Sequence, residues 1–210
     1  MSTYIISDNH FFHGNIVRYC GRPYDVKNNH YVENKVGIDC MNEDMLRMYD
    51  DLPKDCTIIN LGDVFVNYKI REHPTNDNQI SISTLEGMVH RMSCDGKRKL
   101  VLVLGNHDAI NHKGNLIDSY LSLGFTEVYD QPLVIDGVVF SHEPVYTTSL
   151  NYHGHLHNTP LWNDYFLTTD DQRRWSYDRV LSPIIENVGL IVPSHYINCC
   201  LDYNHKFLKL

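Results

Sequence analysis

Five short clusters of Asp, Asn and His punctuate the 210-residue chain. They are Asp8-Asn9-His10, Gly62-Asp63, Gly105-Asn106-His107-Asp108, the single His142, and His153-Gly154-His155-Leu156-His157. Carboxylate, carboxamide and imidazole in this proportion suit a pair of borderline divalent ions such as manganese, iron, zinc, cobalt or nickel. Each fragment alone is ordinary: Gly-Asp is as often a turn, and Gly-Asn-His-Asp can cap a helix through Asn or Asp. Position gives them weight, because four of the five follow directly on apolar runs. Ile5-Ile6-Ser7 leads into Asp8, residues 58–61 into Gly62-Asp63, residues 102–104 into Gly105-Asn106, and residues 138–141 into His142. In open α/β sheets the loops beyond the carboxyl ends of parallel strands converge on one crevice. In the fifth cluster, alternate residues of an extended segment point to the same side, which presents His155 and His157 together. His153 then stands behind them.

The elements that must position these groups are legible as apolar runs bounded by turn residues at 3–7, 57–61, 99–104, 133–135, 138–141, 190–192 and 196–201, all read as strands. Helical spacing covers 31–49 and 80–92, so the first half reads β-α-β-α-β and predicts a parallel sheet. A shorter helix over 115–123 ends at Gly124 as its C-cap. Asp136-Gly137 between two apolar runs is a two-residue hairpin signal, so the second half is antiparallel or mixed. The fold class is α/β, with two mixed β-sheets packed as a sandwich flanked by α-helices. Residues 1–210 form a single domain. Residues 158–187, polar and aromatic together, stand apart from it as an insertion or lid.

Composition narrows the partners. With 42% hydrophobic and 21% charged residues the chain buries a core of its own, and no apolar stretch reaches membrane-spanning length. Six cysteines without a C-x-x-C pair fit reduced thiols, so a cytoplasmic setting is expected. A formal charge of −8 disfavours extended nucleic acid, which needs a basic stripe to neutralise its phosphates. It points instead to a small or locally engaged ligand. Near the first cluster, His13, Asn15, Arg18 and Arg22 are candidate phosphate contacts, since guanidinium pairs well with phosphate oxygens. Capping for Asn15 and ordinary surface positions for the arginines are the alternatives.

The ordered set D-x-H, G-D, G-N-H-[DE], H and G-H-x-H resembles the calcineurin-like metallophosphoesterase family. The stretch from Ile6 through His13-Gly14-Asn15-Ile16 is similar to a compact bacterial and phage branch of it. The resemblance implies that Asp8, His10, Asp63 and His157 hold one metal ion, while Asp63, Asn106, His142 and His155 hold the other, Asp63 bridging. It implies two divalent ions, manganese first among them, the metallophosphoesterase fold, and hydrolysis of a phosphate ester. A phosphodiester such as a cyclic nucleotide, a dinucleotide or a nucleic-acid end is expected, attacked by hydroxide bridging the ions. His107 is the expected general acid, with Asp108 orienting it. The alternatives are a phosphomonoesterase and a non-catalytic binding scaffold on the same fold. Two departures stand out: the short spacing from His142 to His155, and the inserted segment.

Overall fold

A computed structural model describes residues 2–28, 30–65, 70–71, 75–76, 79–108, 115–145, 147–158 and 195–210. In chain order the elements are β1 (Thr3–Ile6), α1 (Gly14–Cys20), a 3-10 turn (Val32–Asn34), α2 (Lys35–Asp50), β2 (Thr57–Asn60), β3 (Ile70–Arg71), β4 (Ile80–Ser81) and α3 (Ile82–Met92). Then come β5 (Lys99–Val103), α4 (Leu116–Leu123), β6 (Glu127–Tyr129), β7 (Leu133–Ile135), β8 (Val138–Ser141), β9 (Asn151–His153), β10 (Tyr196–Asn198), α5 (Leu201–Asn204) and β11 (Leu208–Lys209).

One large sheet has the order β11-β1-β2-β5-β6, parallel except where β11 runs antiparallel to β1; a second has the order β10-β9-β8-β7, with β7 antiparallel to β8; and β3 and β4 pair as a small parallel ribbon. The inner strands of the first sheet are apolar on both faces because both are covered. Ile5, Ile59, Leu61, Val101 and Val103 turn towards the second sheet, where they meet Phe140 and Cys199. Their alternates Ile6, Ile58, Leu100 and Leu102 turn towards the helices, against Met41, Tyr49, Leu85 and Val89. Each such buried aliphatic side chain stabilises the fold by about 1.5–3 kcal/mol. The sandwich with flanking helices is therefore as expected.

Local signals account for the element ends. Asn115 caps α4 by accepting from the Asp118 N–H at 2.7 Å, and Gly124 ends it with φ 113°. Ser81 caps α3 through the Thr84 N–H at 3.1 Å. Asp136 (φ 50°) and Gly137 (φ 79°) both take the left-handed conformation that a primed two-residue hairpin turn requires.

Several boundaries differ from expectation. The strand read over 196–201 is cut to β10, because Leu201 to Asn204 turn into α5. The helix read over 31–49 opens with the 3-10 turn and becomes α-helical from Lys35, and α1 and β6 lacked a long enough periodic run to be seen. The strand at 190–192 and nearly all of segment 158–187 lie outside the described residues. Among the described residues no helix is long and apolar enough to cross a membrane.

Candidate metal centre

The clusters meet where the parallel strands end. Beyond β1 and β2 the two chains stay registered as they turn: Asp8 N–H donates to Gly62 O, His10 N–H to Asp63 O, and Phe11 N–H to Val64 O, at 2.8–3.0 Å. The turns are tight. Asp8, His10, Asp63, His155 and His157 all have positive φ, between 49° and 67°. Five of the seven residues expected to hold metal thus occupy the left-handed region, a conformation that Asp and His tolerate better than most residues but that still costs energy and gathers at functional sites. The fifth cluster is therefore not the extended segment expected. β9 ends at His153, and two left-handed residues aim His155 and His157 at different parts of one cleft.

Close backbone approach explains two glycines. A Cβ on Gly154 would lie 2.0 Å from Ser7 Oγ and 2.6 Å from Asp8 Oδ2, and one on Gly105 would lie 2.3 Å from Asp63 Oδ1. With hydrogen in place of a side chain, these loops lie against each other and their carboxylates can be gripped by backbone. Asp8 Oδ2 accepts from the His155 N–H at 2.9 Å and the Cys200 thiol at 3.1 Å, and Asp63 Oδ1 accepts from the His107 N–H at 2.8 Å. Each aspartate commits one oxygen to a neighbouring motif and turns the other into the cleft.

Those free oxygens face imidazole nitrogens. His10 Nε2 lies 3.6 Å from Asp8 Oδ1 and 3.5 Å from Asp63 Oδ2, and His157 Nε2 lies 3.6 Å from Asp8 Oδ1. His142 Nε2 lies 3.5 Å from Asp63 Oδ2, and Asn106 Oδ1, His142 Nε2 and His155 Nδ1 form a triangle with edges of 2.9, 3.1 and 3.2 Å. His142 Nδ1 faces Leu61 O at 2.8 Å; a carbonyl can only accept, so Nδ1 carries a proton and Nε2 is the nitrogen turned into the cleft. Ligand atoms about 2.0–2.2 Å from a shared ion would stand at such separations from one another. The donor set fits a metal on another ground too: Asp8 Oδ1 and His10 Nε2 are buried and have no hydrogen-bond partner, an arrangement that costs energy unless something positive lies between them. Asp8, His10 and His157 form one group able to hold an ion, and Asp8, Asp63 and His142 another.

Burial, reinforced by the charges of Asp8 and Asp108 and opposed by His142, pushes the Asp63 carboxyl up to about 7. Burial drives His10 down to about 4 and, with the charge of His142, His155 down to about 4. Those rings are neutral at physiological pH, as a ligand nitrogen must be. Burial also lowers His157, but its hydrogen bonds to Asp202 and Cys20 and the charge of Asp8 together outweigh this and raise it to about 10.

The remaining expected residues divide. The His107 ring stands at the exposed mouth, with centroids 5.3 Å from His10 and 5.8 Å from His13. His13 is buried, its Nδ1 3.2 Å from His10 Nδ1. Asn15 lies one residue into α1 and is half-buried. Arg18 is exposed and reaches Lys27 O at 3.4 Å. Two expectations are corrected. Asp108 was expected to orient His107; instead its carboxylate accepts from Asp63 N–H, Val64 N–H, Gly105 N–H and Tyr120 O–H at 2.7–3.0 Å, locking the Gly-Asp loop to the Gly-Asn-His-Asp loop. Arg22, read as a phosphate contact, is buried behind Asp8 in an ion pair with Asp202.

Sequence reasoning missed the support beneath the site. Asn9 Oδ1 accepts from Tyr49 O–H at 3.0 Å and Asn60 Nδ2 at 2.7 Å, and Asn60 Oδ1 accepts from the Gly62 N–H at 3.2 Å. Asp202 was missed although it stands just past the apolar run at 196–201, the placement that singled out the other clusters.

The chain is 24% identical over 164 residues to an uncharacterised protein of Methanocaldococcus jannaschii, covering 75% of this chain and 70% of that one. A protein of unknown function from Aquifex aeolicus has a similar structure, with TM-score 0.51, 18% identity, and 99% and 95% of the two chains covered. A nuclease from Pseudomonas putida aligns at TM-score 0.45, with 23% identity over 74% of this chain and 61% of that one. The family model for calcineurin-like phosphoesterases matches residues 1–197, and the chain belongs to that family.

Proposed function

We propose that this phosphoesterase hydrolyses a phosphodiester with two divalent ions, manganese first among the candidates. Asp8, His10, Asp63 and His157 hold one ion; Asp63, Asn106, His142 and His155 hold the other. The observation that carries the reading is the position of Asp63 Oδ2, which stands 3.5 Å from both His10 Nε2 and His142 Nε2, as a shared ligand would. When bound, such ions supply a water acidic enough to ionise near neutral pH and positive charge for the phosphate oxygens.

The chain's own residues do the rest. Asp63 and Asp8 orient the cage through the backbone bonds described above. Asn106 adds a neutral ligand, so the two carboxylates leave surplus positive charge for an anionic phosphate. His107, held through its backbone N–H on Asp63 and exposed at the mouth, protonates the departing oxygen. His13 lies within ring contact of both His10 and His107. A diester is preferred because a poor alkoxide leaving group gains most from an acid. The net charge of −8 favours a small or locally engaged substrate over a long nucleic acid.

The test uses protein stripped of metal and then reconstituted with Mn²⁺, assayed on bis(p-nitrophenyl) phosphate and on p-nitrophenyl phosphate. Diester turnover that requires metal and disappears in Asp63→Ala is the expected result. Turnover of the monoester alone overturns the diester preference. Metal binding without turnover of either leaves the scaffold reading.

A further inference from the structure

A buried ion pair lies directly behind the cleft. Arg22 Nε donates to Asp202 Oδ1 at 2.7 Å and Nη2 to Asp202 Oδ2 at 3.0 Å, a planar fork-to-fork pairing. The guanidinium's other bonds hold the first cluster from below, Nη2 to Asp8 O and Nη1 to Asn9 O, both at 2.8 Å. The two side chains are 6% and 3% exposed. Taking an ion pair out of water costs several kcal/mol per charge, and apolar replacements often stabilise a fold as well or better. Fold stability alone therefore gives little reason for a salt bridge here.

Its position gives one. Asp202 Oδ2 also lies 2.8 Å from His157 Nδ1. A carboxylate can only accept, so His157 Nδ1 carries a proton, and Nε2 is the nitrogen turned to Asp8 Oδ1. Two bonds from Arg22 fix the carboxylate plane, the carboxylate fixes the ring, and the same guanidinium fixes the left-handed Asp8 turn (φ 61°). Three groups from remote parts of the sequence thus meet on one half of the cleft. Neither Arg22 nor Asp202 bonds to Asn106, His142 or His155 in the contacts described; Asp8 alone meets the other half, through the His155 N–H. Asp202 also lies beyond the segment matched by the family model, which ends at residue 197.

We propose that Asp202, clamped by Arg22, is a positioning residue that sets the tautomer and orientation of His157. It thereby tunes metal affinity at the Asp8, His10 and His157 half of the centre and not at the other half. The proposal rests on the two-ion reading. Partners of this kind orient a ligand ring and change metal affinity about 10–100-fold when removed.

The test is calorimetric titration of metal-stripped protein with Mn²⁺, parent first. The parent takes up two ions. In Asp202→Asn one of them binds about 10–100-fold more weakly, while the other stays within about twofold of the parent. The same substitution in a His157→Ala background adds no further loss, because the residue it acts through is gone; a merely structural Asp202 would weaken binding in both backgrounds alike. If Asp202→Asn does not fold, Arg22→Lys keeps the charge, loses the fork, and is expected to weaken the same single ion. Both ions retained at parental affinity, both weakened equally, or a loss that persists without His157 overturns the proposal. A parent that binds fewer than two ions overturns the two-ion reading itself and is seen before any variant is measured.

Discussion

Asp63 shows at the scale of one residue how the cleft is made. Its Oδ1 is held by the His107 N–H and its own N–H by Asp108 Oδ2 at 2.7 Å, so the side chain cannot rotate away, and Oδ2 is left facing two imidazoles. The same bond anchors His107 while its ring remains exposed at the mouth. General acids contribute about 10²–10⁴-fold to rate, and most where the leaving group is a poor one. His107→Asn is therefore expected to slow an alkyl phosphodiester by about 10²–10⁴-fold and a p-nitrophenyl diester by less than about tenfold. Rates across a leaving-group series check this, and equal losses for good and poor leaving groups would show that the ring does not deliver the proton. Metal content should be unchanged in the same variant, because His107 is not among the ligands.

At the scale of the element, the site is a set of loops that depend on lying against one another. Gly154 sits on Ser7 and Asp8, and this contact brings the His155 N–H to Asp8 Oδ2. A methyl group there must push β9 and the two histidines after it away from β1. Gly154→Ala is expected to lower Mn²⁺ affinity at both halves of the centre by at least about tenfold, of the order found for lost ligand support; calorimetric titration measures it. What was legible in the sequence follows from the same physics. Ile58, Ile59, Val101 and Leu102 announced buried strands because both faces are covered, and Asn115, Gly124 and Asp136-Gly137 announced caps and a turn through local chemistry. The five clusters were legible as one site because a parallel sheet delivers its strand ends to one edge. Glu127 to Tyr129 was not legible as a strand: it is not a continuous apolar run, and Glu127 pairs with Lys99 rather than with core. The left-handed turns at His155 and His157 were hidden as well, since nothing local distinguishes them from an extended run. Asp202 and Arg22, 180 residues apart, belong together only once β11 has paired with β1 and brought the tail to the cleft.

At the scale of the whole molecule, the cleft gathers three buried aspartates, Asp8, Asp63 and Asp108. A ligand that binds only the folded chain stabilises it by RT ln(1 + [L]/Kd), about 2.7 kcal/mol at a hundredfold excess over Kd. For a domain of this size that corresponds to a rise in Tm of roughly 5–11 °C. Scanning calorimetry of stripped protein with and without Mn²⁺ is expected to show such a rise, and Asp63→Ala to abolish it. No change in Tm for the parent would mean that the cleft does not bind the ion. The dispersal of the ligands from Asp8 to His157 across both sheets carries a kinetic consequence. No short stretch of the nascent chain presents more than two of the seven candidate ligands, so an ion cannot guide the early steps of folding. It arrives after the sandwich has closed, and its stabilisation then appears almost entirely as slower unfolding rather than faster folding.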